Sequence, residues 1–191
     1  MSCTPSLVIN PGRVLQYVFR WAESARTYRL VTAVSLSAPV VLTVPSHGLP
    51  DGWQFRLESL RGPDALNSDP DDPTSFYLAK VLSADSLQLD MNGLGLKALV
   101  GHGALSYYTP SSLAGLTGRF TLKASQHSVE ILLQSTTAVT VDDAAKSIDL
   151  QVGADVTATL PSGAAWYSLD LIDATNPALV YAIGAGPVLI L

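Results

Sequence analysis

The chain has 191 residues, of which 48% are hydrophobic and only 14% charged, with 11 basic against 16 acidic side chains. The net charge of −5, with no basic cluster anywhere, excludes the phosphate-neutralising surface that nucleic-acid binding needs, and also a basic membrane-surface helix. A soluble domain usually carries about a quarter charged residues, so this composition predicts apolar surface that meets other proteins.

The amino-terminal residues MSCTPSLVINPGR lack the basic start and the apolar run of a secretory signal. No apolar window in the chain reaches the length of a membrane-spanning helix. We therefore expect a cytoplasmic product. With Cys3 as its single cysteine, the chain has neither an internal disulfide nor a multi-cysteine metal site.

Period-two alternation, β-branched residues and regularly recurring turn residues predict an all-β fold. Strands are predicted at 14–21, 28–34, 40–44, 53–60, 76–82, 86–89, 105–108, 119–124, 130–133, 139–142, 147–152, 165–172, 178–183 and 187–191. Helical periodicity is nearly absent, and only DVTATLPSG, Asp155–Gly163, is compatible with one short turn before its proline and glycine end it.

Two segments interrupt this pattern of strands. Gly62–Ser75, GPDALNSDPDDPTS, is a long acidic loop punctuated by prolines, and loops of that length are usually functional or disordered. Tyr107–Arg119, YYTPSSLAGLTGR, has the Pro, Ser and Gly content of a domain crossing. The second segment predicts a domain boundary near 108–113.

The turn HGLPDG raises the question of whether His47 is a catalytic or ligand-binding side chain. Gly48 and Gly52 permit positive φ, and Pro50 fixes one corner. A histidine in such a turn can bond the local backbone and tolerates the left-handed region better than most residues. A turn histidine is therefore favoured over a ligand or a catalytic base.

No other pattern of residues indicates chemistry. His47, His102 and His127 have no metal-ligand spacing, and no serine lies in a G-x-S-x-G elbow. The sequence predicts no catalytic residue, no cofactor-binding residue and no metal ligand, so the chain is expected not to be an enzyme.

The acidic loop and the aromatic residues each leave two interpretations open. The oxygen-rich loop could bind calcium, but DPDDP lacks the alternating acidic positions and the glycine of a calcium loop, which favours a solvated or partner-contacting loop. Its acidic residues are Asp64, Asp69, Asp71 and Asp72. The aromatic residues could form a sugar-stacking platform or belong to the core, and Trp21 and Trp166 are predicted to be core. The aromatic set is Trp21, Trp53, Trp166, Tyr107, Tyr108 and Tyr167.

Two segments resemble virion proteins of tailed bacteriophages. The first is RLVTAVSLSAPVVLTVPSHGLPDGWQFRLESLRGPDALN followed by FYLAKVLSADSLQLDMNGL. It resembles the small β-barrel module named after the first catalytic cysteine half-domain of ubiquitin-activating enzymes, which phage proteins use as an insertion without ubiquitin chemistry. The residues that carry this resemblance are His47, Gly48, Leu49, Gly52, Asn67, Ala84, Asp85, Ser86 and Leu87.

The second segment is LAGLTGRFTLKAS together with VTVDDAAKSIDLQVGADVTATLPSGAAWYSLDLIDATNPALVYAIGAGPVLIL. It resembles the N-terminal β-sandwich of phage baseplate and tail-adaptor proteins, and PGRVLQYVFRW, Pro11–Trp21, matches that family's first strand. The sequence departs from the family at Ser168, where an acidic residue is usual. The matching residues are Leu116, Gly118, Ile148, Leu150, Thr157, Leu160, Tyr167, Leu169, Asp170 and Leu171.

Together the resemblances imply a discontinuous β-sandwich, 1–30 plus 110–191, with a small β-barrel inserted at 31–109. Such an insertion costs little where its ends leave and re-enter the host domain close together. The implied function is a non-enzymatic structural component of a phage virion, in the tail, baseplate or neck region. The alternative is a host-surface or glycan-binding module of the virion.

The same resemblance implies the location and the partners of the chain. It would be made in the host cytoplasm and reside in the virion, contacting other virion proteins and copies of itself in a cyclic oligomer, without nucleic acid, membrane or cofactor. Strand 187–191 and the arm Met1–Asn10 are expected to pair with neighbouring proteins. Removing the arm is expected to leave a folded monomer that enters particles less well.

Overall fold

The computed structural model describes residues 6–191, so Met1–Pro5, including Cys3, lie outside the described residues. The predicted all-β class is confirmed, with the strands forming four sheets. The described helical elements are one 3-10 turn, Asp64–Leu66, and one short helix, α1 (Ala154–Thr157). Nowhere in residues 6–191 is there a helix with the length and apolar character to cross a bilayer.

The chain divides into two compact units, which we call the sandwich unit and the inserted unit. The sandwich unit comprises the chain up to Trp21 together with Ser112–Leu191, and the inserted unit is the continuous segment Ala22–Ser111. The first crossing thus lies earlier in the chain than the predicted boundary between 30 and 31. The reason is that a long strand begins at Ala22 and pairs within the inserted unit.

The sandwich unit has two sheets that enclose one core. The five-stranded sheet has the order β1-β16-β15-β11-β12 and the three-stranded sheet the order β13-β14-β2. Their strands are β1 (Leu7–Ile9), β2 (Leu15–Phe19), β11 (Leu116–Lys123), β12 (Ile131–Ser135), β13 (Val139–Asp142), β14 (Ser147–Val152), β15 (Gly163–Asp173) and β16 (Val180–Ile190). Alternate side chains of β15, Tyr167, Leu169 and Leu171, are fully buried, as the period of a half-buried strand requires.

The amino-terminal strand β1 pairs in parallel with the end of β16, with Val8 opposite Leu189. Leu7 and Ile9 point into the core and are almost completely buried. One expectation is therefore wrong: strand 187–191 does not offer a free edge at Val188–Ile190. Removal of residues 1–10 would take two core side chains out of the sandwich, so we now expect it to destabilise the fold. The part of the predicted arm at Met1–Pro5 lies outside the described residues.

The inserted unit also has two sheets, with the orders β3-β10-β6-β7 and β4-β5-β9-β8. The strands are β3 (Ala22–Val31), β4 (Ala33–Ser35), β5 (Val40–Thr43), β6 (Gln54–Glu58), β7 (Tyr77–Leu78), β8 (Lys80–Ser83), β9 (Ser86–Leu89) and β10 (Gly103–Pro110). Buried aliphatic and aromatic side chains from both sheets, such as Leu42, Phe55 and Leu105, form a single core. Closure of these sheets into a barrel stays a prediction.

Ionisation of Tyr167 is expected to destabilise the sandwich unit at alkaline pH. Its phenol is fully buried, and burial, with a smaller contribution from Tyr17, raises its pKa to about 12. A tyrosine in an unfolded chain ionises near a pKa of about 10. The folded state therefore holds this proton more tightly, so the stability contribution is complete below about pH 10 and is lost as the pH rises towards 12.

Over that interval we expect the free energy of unfolding to fall by roughly 2–3 kcal/mol because of Tyr167 alone. Urea unfolding at a series of alkaline pH values measures the fall, and Tyr167→Phe should remove it. Equal losses in the wild type and in Tyr167→Phe would show that the buried phenol is not responsible.

Candidate functional site

His47 is buried in the turn after β5, and both of its ring nitrogens face backbone groups. The Leu49 amide donates to Nδ1 at 3.0 Å, and Nε2 lies 2.9 Å from the Ser83 carbonyl oxygen. Because Nδ1 accepts a hydrogen bond, the ring proton lies on Nε2, which donates to Ser83. The hydroxyl of Tyr107 donates to the His47 carbonyl at 2.6 Å. Bonding of this histidine to local backbone, as predicted, is confirmed.

The backbone of the HGLPDG turn adopts the left-handed conformations that its composition indicates, with one difference. Gly48 and Gly52 have φ of 66° and 71°. The non-glycine residue with positive φ is Ser46, at 50°, rather than His47. The histidine ring can therefore point into the core of the unit while its neighbours make the turn.

The β8–β9 hairpin completes a structural clip around this turn. Asp85 accepts a hydrogen bond from the Ser46 amide on Oδ1 at 2.7 Å, and its carbonyl accepts from the Val44 amide at 2.8 Å. The Ala84 carbonyl accepts from the His47 amide at 3.2 Å. We call the side chains of His47 and Asp85, with these backbone bonds, the His47 clip. It ties two distant chain segments together and leaves no ring nitrogen for a substrate or a metal.

Asn67 makes a second fastening of the same kind at the other end of β6. Its side-chain amide donates to the Leu60 carbonyl at 2.9 Å, and its oxygen accepts from the Leu60 amide at 2.8 Å. The Asn67 side chain thus bonds both backbone groups of Leu60, as the backbone of a paired strand would, and holds the start of the acidic loop in place. His47, Asn67 and Asp85, three of the residues that carry the resemblance, therefore hold turns of the inserted unit.

The acidic loop uses its carboxylates locally. Asp69 Oδ1 accepts from the Asp71 amide at 2.9 Å, and Asp72 Oδ1 accepts from the amide and hydroxyl of Thr74 at 2.8 and 2.6 Å. These bonds, the hydroxyl of Thr74 first, lower the pKa of Asp72. Across residues 6–191 no group of three or more His, Cys, Asp and Glu is placed to hold a metal ion.

The tryptophans differ from the predicted assignment. Trp53, one of the aromatic residues considered for a sugar-stacking platform, is 4% exposed, and its indole N–H donates to the Tyr108 carbonyl at 2.9 Å. Trp21 packs against the sandwich core as predicted and lies 5.4 Å from the ring of Tyr181. Trp166 is half-buried on the opposite face of β15 from Tyr167, so its assignment to the core is wrong.

Several exposed apolar side chains lie on one face of sheet β3-β10-β6-β7. The register places Tyr28 opposite Ser106 and Ser106 opposite Arg56, so these side chains project on the same side. Gln54, two residues from Arg56 along β6, faces Leu78 of β7 on that side. We call this surface the outer face. Its members are Arg26, Tyr28, Leu30, Gln54, Arg56, Glu58, Leu78, Ser106 and Tyr108.

The outer face combines exposed apolar side chains with a few charges. Tyr28, Leu30 and Leu78 are 57%, 53% and 59% exposed. Arg26 lies 3.8 Å from Glu58 and stacks over the ring of Tyr108 at 5.1 Å, and its hydrogen bond with Tyr108 raises its pKa. An ion pair this exposed contributes only about 0–1 kcal/mol to stability. Its main effect is to hold the Arg26 side chain in place over the sheet.

A shallow groove of about 100 Å³ opens beside this face. Arg26, Arg56, Tyr108 and Phe76 are among the residues that line it. Aromatic and arginine side chains at an exposed surface are typical of protein-interface anchors. The residue types that line the groove therefore match those found at protein interfaces.

Sequence reasoning missed the outer face because its strand was assigned too late in the chain. The predicted strand 28–34 includes Tyr28 and Leu30 but omits Ala22–Thr27. The available signal was the period-two placement of Arg26, Tyr28 and Leu30, which marks one face of a strand.

Comparison with known proteins does not assign the chain to a family. No protein-family model matches the chain. No curated protein matches its sequence either.

Proposed function

We propose that the chain is a non-enzymatic structural component of a phage virion, placed in the tail, baseplate or neck region. It acts through contacts with other virion proteins and with copies of itself in a cyclic oligomer. The observation that carries the proposal is the outer face, where large apolar side chains remain exposed on a rigid sheet of a chain that is only 14% charged.

The arrangement of the outer face suits a permanent contact between proteins. Tyr28, Leu30 and Leu78 are held on strands by main-chain pairing, so little conformational entropy is lost when they are covered. The neighbouring Arg26 and Tyr108 supply the residue types that dominate interface energetics. Burial of apolar area of this kind contributes about 25 cal/mol per Å² before the costs of association.

The resemblance to phage proteins implies that the assembly containing this surface is a phage virion. In the sandwich unit it rests on residues that are buried, such as Ile148, Leu150 and Tyr167. In the inserted unit it rests on His47, Asn67 and Asp85, which fasten turns. The contacts of these residues stabilise the fold. Residues with that role are what a structural protein needs.

Gold-labelled antibody against the chain, imaged on purified intact particles in the electron microscope, tests this proposal. We expect label at the tail tip, baseplate or neck. Particles that carry none of the protein, from a lysate in which it is abundant, would overturn the virion assignment.

The groove beside the outer face favours one second candidate, a host-surface or glycan-binding module. Tyr108 and Phe76 offer exposed rings there, with Arg26 and Arg56 as donors, whereas the buried Trp53 is not available for stacking. Binding of the isolated chain to a glycan array, lost in Phe76→Ala, would support this candidate. An array without signal would leave the structural component as the preferred function.

A further inference from the structure

β3 is a long edge strand. It has 10 residues, Ala22–Val31, and lies at the end of sheet β3-β10-β6-β7 with β10 on one side. On its other side, within residues 6–191, no strand pairs with it. Along the strand all residues except Ala22, Thr27 and Val31 are exposed. A row of backbone N–H and C=O groups is therefore open to pairing with another strand.

Charged side chains on β3 limit which strand can add to this edge. Glu23, Arg26 and Arg29 are spaced three residues apart along it, with neutral residues between them. Charges on an edge discourage indiscriminate strand addition, since like charges directly opposite are destabilising. An incoming strand must offer complementary charges in the correct register, and β3 itself does so.

One antiparallel register of β3 with a second β3 pairs Glu23 with Arg29 on both sides of a two-fold axis. The same register places Tyr28 opposite Ser24 and Leu30 opposite Ala22, so each large side chain on the outer face meets a small one. Antiparallel partners project on the same side, so the outer faces of the two copies would be continuous.

Alternative registers are less favourable. Because opposed residues must project on the same side, the register can shift only in steps of two residues. One such shift faces Tyr28 with Arg26 and Glu23 with Val31. The other faces Tyr28 with Ala22 and Glu23 with Thr27, so neither places opposite charges together.

Arg26 lies on the two-fold axis and would face its own copy. Its guanidinium is directed back over its own sheet, stacked on Tyr108 at 5.1 Å and 3.8 Å from the carboxylate of Glu58. Its charge is thus balanced within each copy, and the like-charge contact at the axis is weakened.

From these features we propose that two copies of the chain associate through antiparallel pairing of β3 with β3, with Glu23 facing Arg29. The pairing joins two four-stranded sheets into one and is isologous, so it closes without further growth. The pairing rests on the proposed function, because it specifies the contact between copies that this function includes. It is measured on the purified chain alone. A chain that does not dimerise can therefore be distinguished from a chain that is absent from particles.

Charge reversal and its repair test the pairing. In Glu23→Arg or Arg29→Glu both symmetry-related pairs become repulsive, and the dissociation constant of the dimer should rise about tenfold or more. The double variant Glu23→Arg/Arg29→Glu restores opposite charges and should return the dissociation constant to near the wild-type value. Arg61→Glu, an exposed change of equal charge outside β3, serves as the matched control.

Sedimentation equilibrium gives the dissociation constants, and circular dichroism confirms that each variant is folded. A wild-type dimer that is weakened by each single reversal and repaired by the double reversal supports the proposal. A wild-type chain that stays at its monomer mass of 20.1 kDa at every concentration overturns it. A dimer that the single reversals do not weaken, or that the double reversal does not repair, also overturns it.

Discussion

Replacing Leu7 and Ile9 together by alanine is expected to unfold the sandwich unit or to leave it only marginally stable. Both side chains are almost completely buried against the core although β1 has only three residues. Removal of a buried Leu or Ile side chain typically costs about 2–5 kcal/mol, and the whole stability of a domain is about 5–15 kcal/mol. Two such losses in one strand approach that total.

Val8→Ala is the matched control for this prediction, because Val8 lies on the same strand and is 51% exposed on the opposite face. Hydrogen exchange read by mass spectrometry resolves the sandwich unit from the inserted unit. We expect Leu7→Ala/Ile9→Ala to lose protection across β15 and β16, and Val8→Ala to keep it. Full protection in the double variant would mean that β1 is dispensable to the core.

Replacing His47 by alanine is expected to destabilise the inserted unit by roughly 3–5 kcal/mol. The change removes the bond to the Ser83 carbonyl and leaves the buried Leu49 amide without its partner, and an unsatisfied buried group costs about 1–3 kcal/mol. The cavity left by the ring adds to that cost. The effect is on stability, because His47 holds a turn.

The exposed His102, in the same unit, supplies the control for the His47 prediction. His102→Ala should change the free energy of unfolding by no more than about 0.5 kcal/mol. Urea unfolding followed through the fluorescence of buried Trp53 measures both variants. Equal midpoints for His47→Ala and His102→Ala would refute the structural role of the clip.

The framework of the inserted unit was predictable because its signals are local. The alternation in Val40–Val44 and Ser86–Leu89 matches β5 and β9, whose inward residues Leu42 and Leu87 face each other in the core. Turn residues at Gly48 and Gly52 fixed the connection between β5 and β6. Each of these features depends on conformational preferences that act over a few residues.

The edge strand β3 was not predictable over Ala22–Thr27 for the opposite reason. Most of its side chains are exposed on both faces, so hydrophobic alternation is lacking there, and the strand exists because β10 supplies backbone partners. Those partners lie about eighty positions away in the chain, as the pair Tyr107 and Thr27 shows. Non-local pairing of this kind leaves only a weak local signal, here the period-two placement of Arg26, Tyr28 and Leu30.

The candidate site was predicted only in part. The backbone-bonding role of His47 was predicted from its turn, whereas the aromatic residues could not be sorted into core and surface. Trp53 turned out to be buried, and Trp166 lies on the outer side of β15. A shift of one residue in the phase of a strand exchanges its two faces, so alternation alone does not settle which face is covered.

Incorporation of an outer-face variant into particles tests the proposed assembly role most directly. Tyr28→Glu/Leu78→Glu places charges on two exposed positions of the outer face, where the fold should tolerate them. Leu94→Glu/Val100→Glu, at equally exposed positions of the same unit outside that face, is the matched control. Each variant complements a phage that lacks the chain, and mass spectrometry counts its copies in purified particles.

If the outer face is an assembly contact, the copies of Tyr28→Glu/Leu78→Glu per particle should fall at least about tenfold, since loss of an aromatic interface anchor costs about 2 kcal/mol or more. The control should be incorporated at the wild-type level. Wild-type copy numbers for both variants would contradict the assignment of the outer face as the surface through which this protein is assembled.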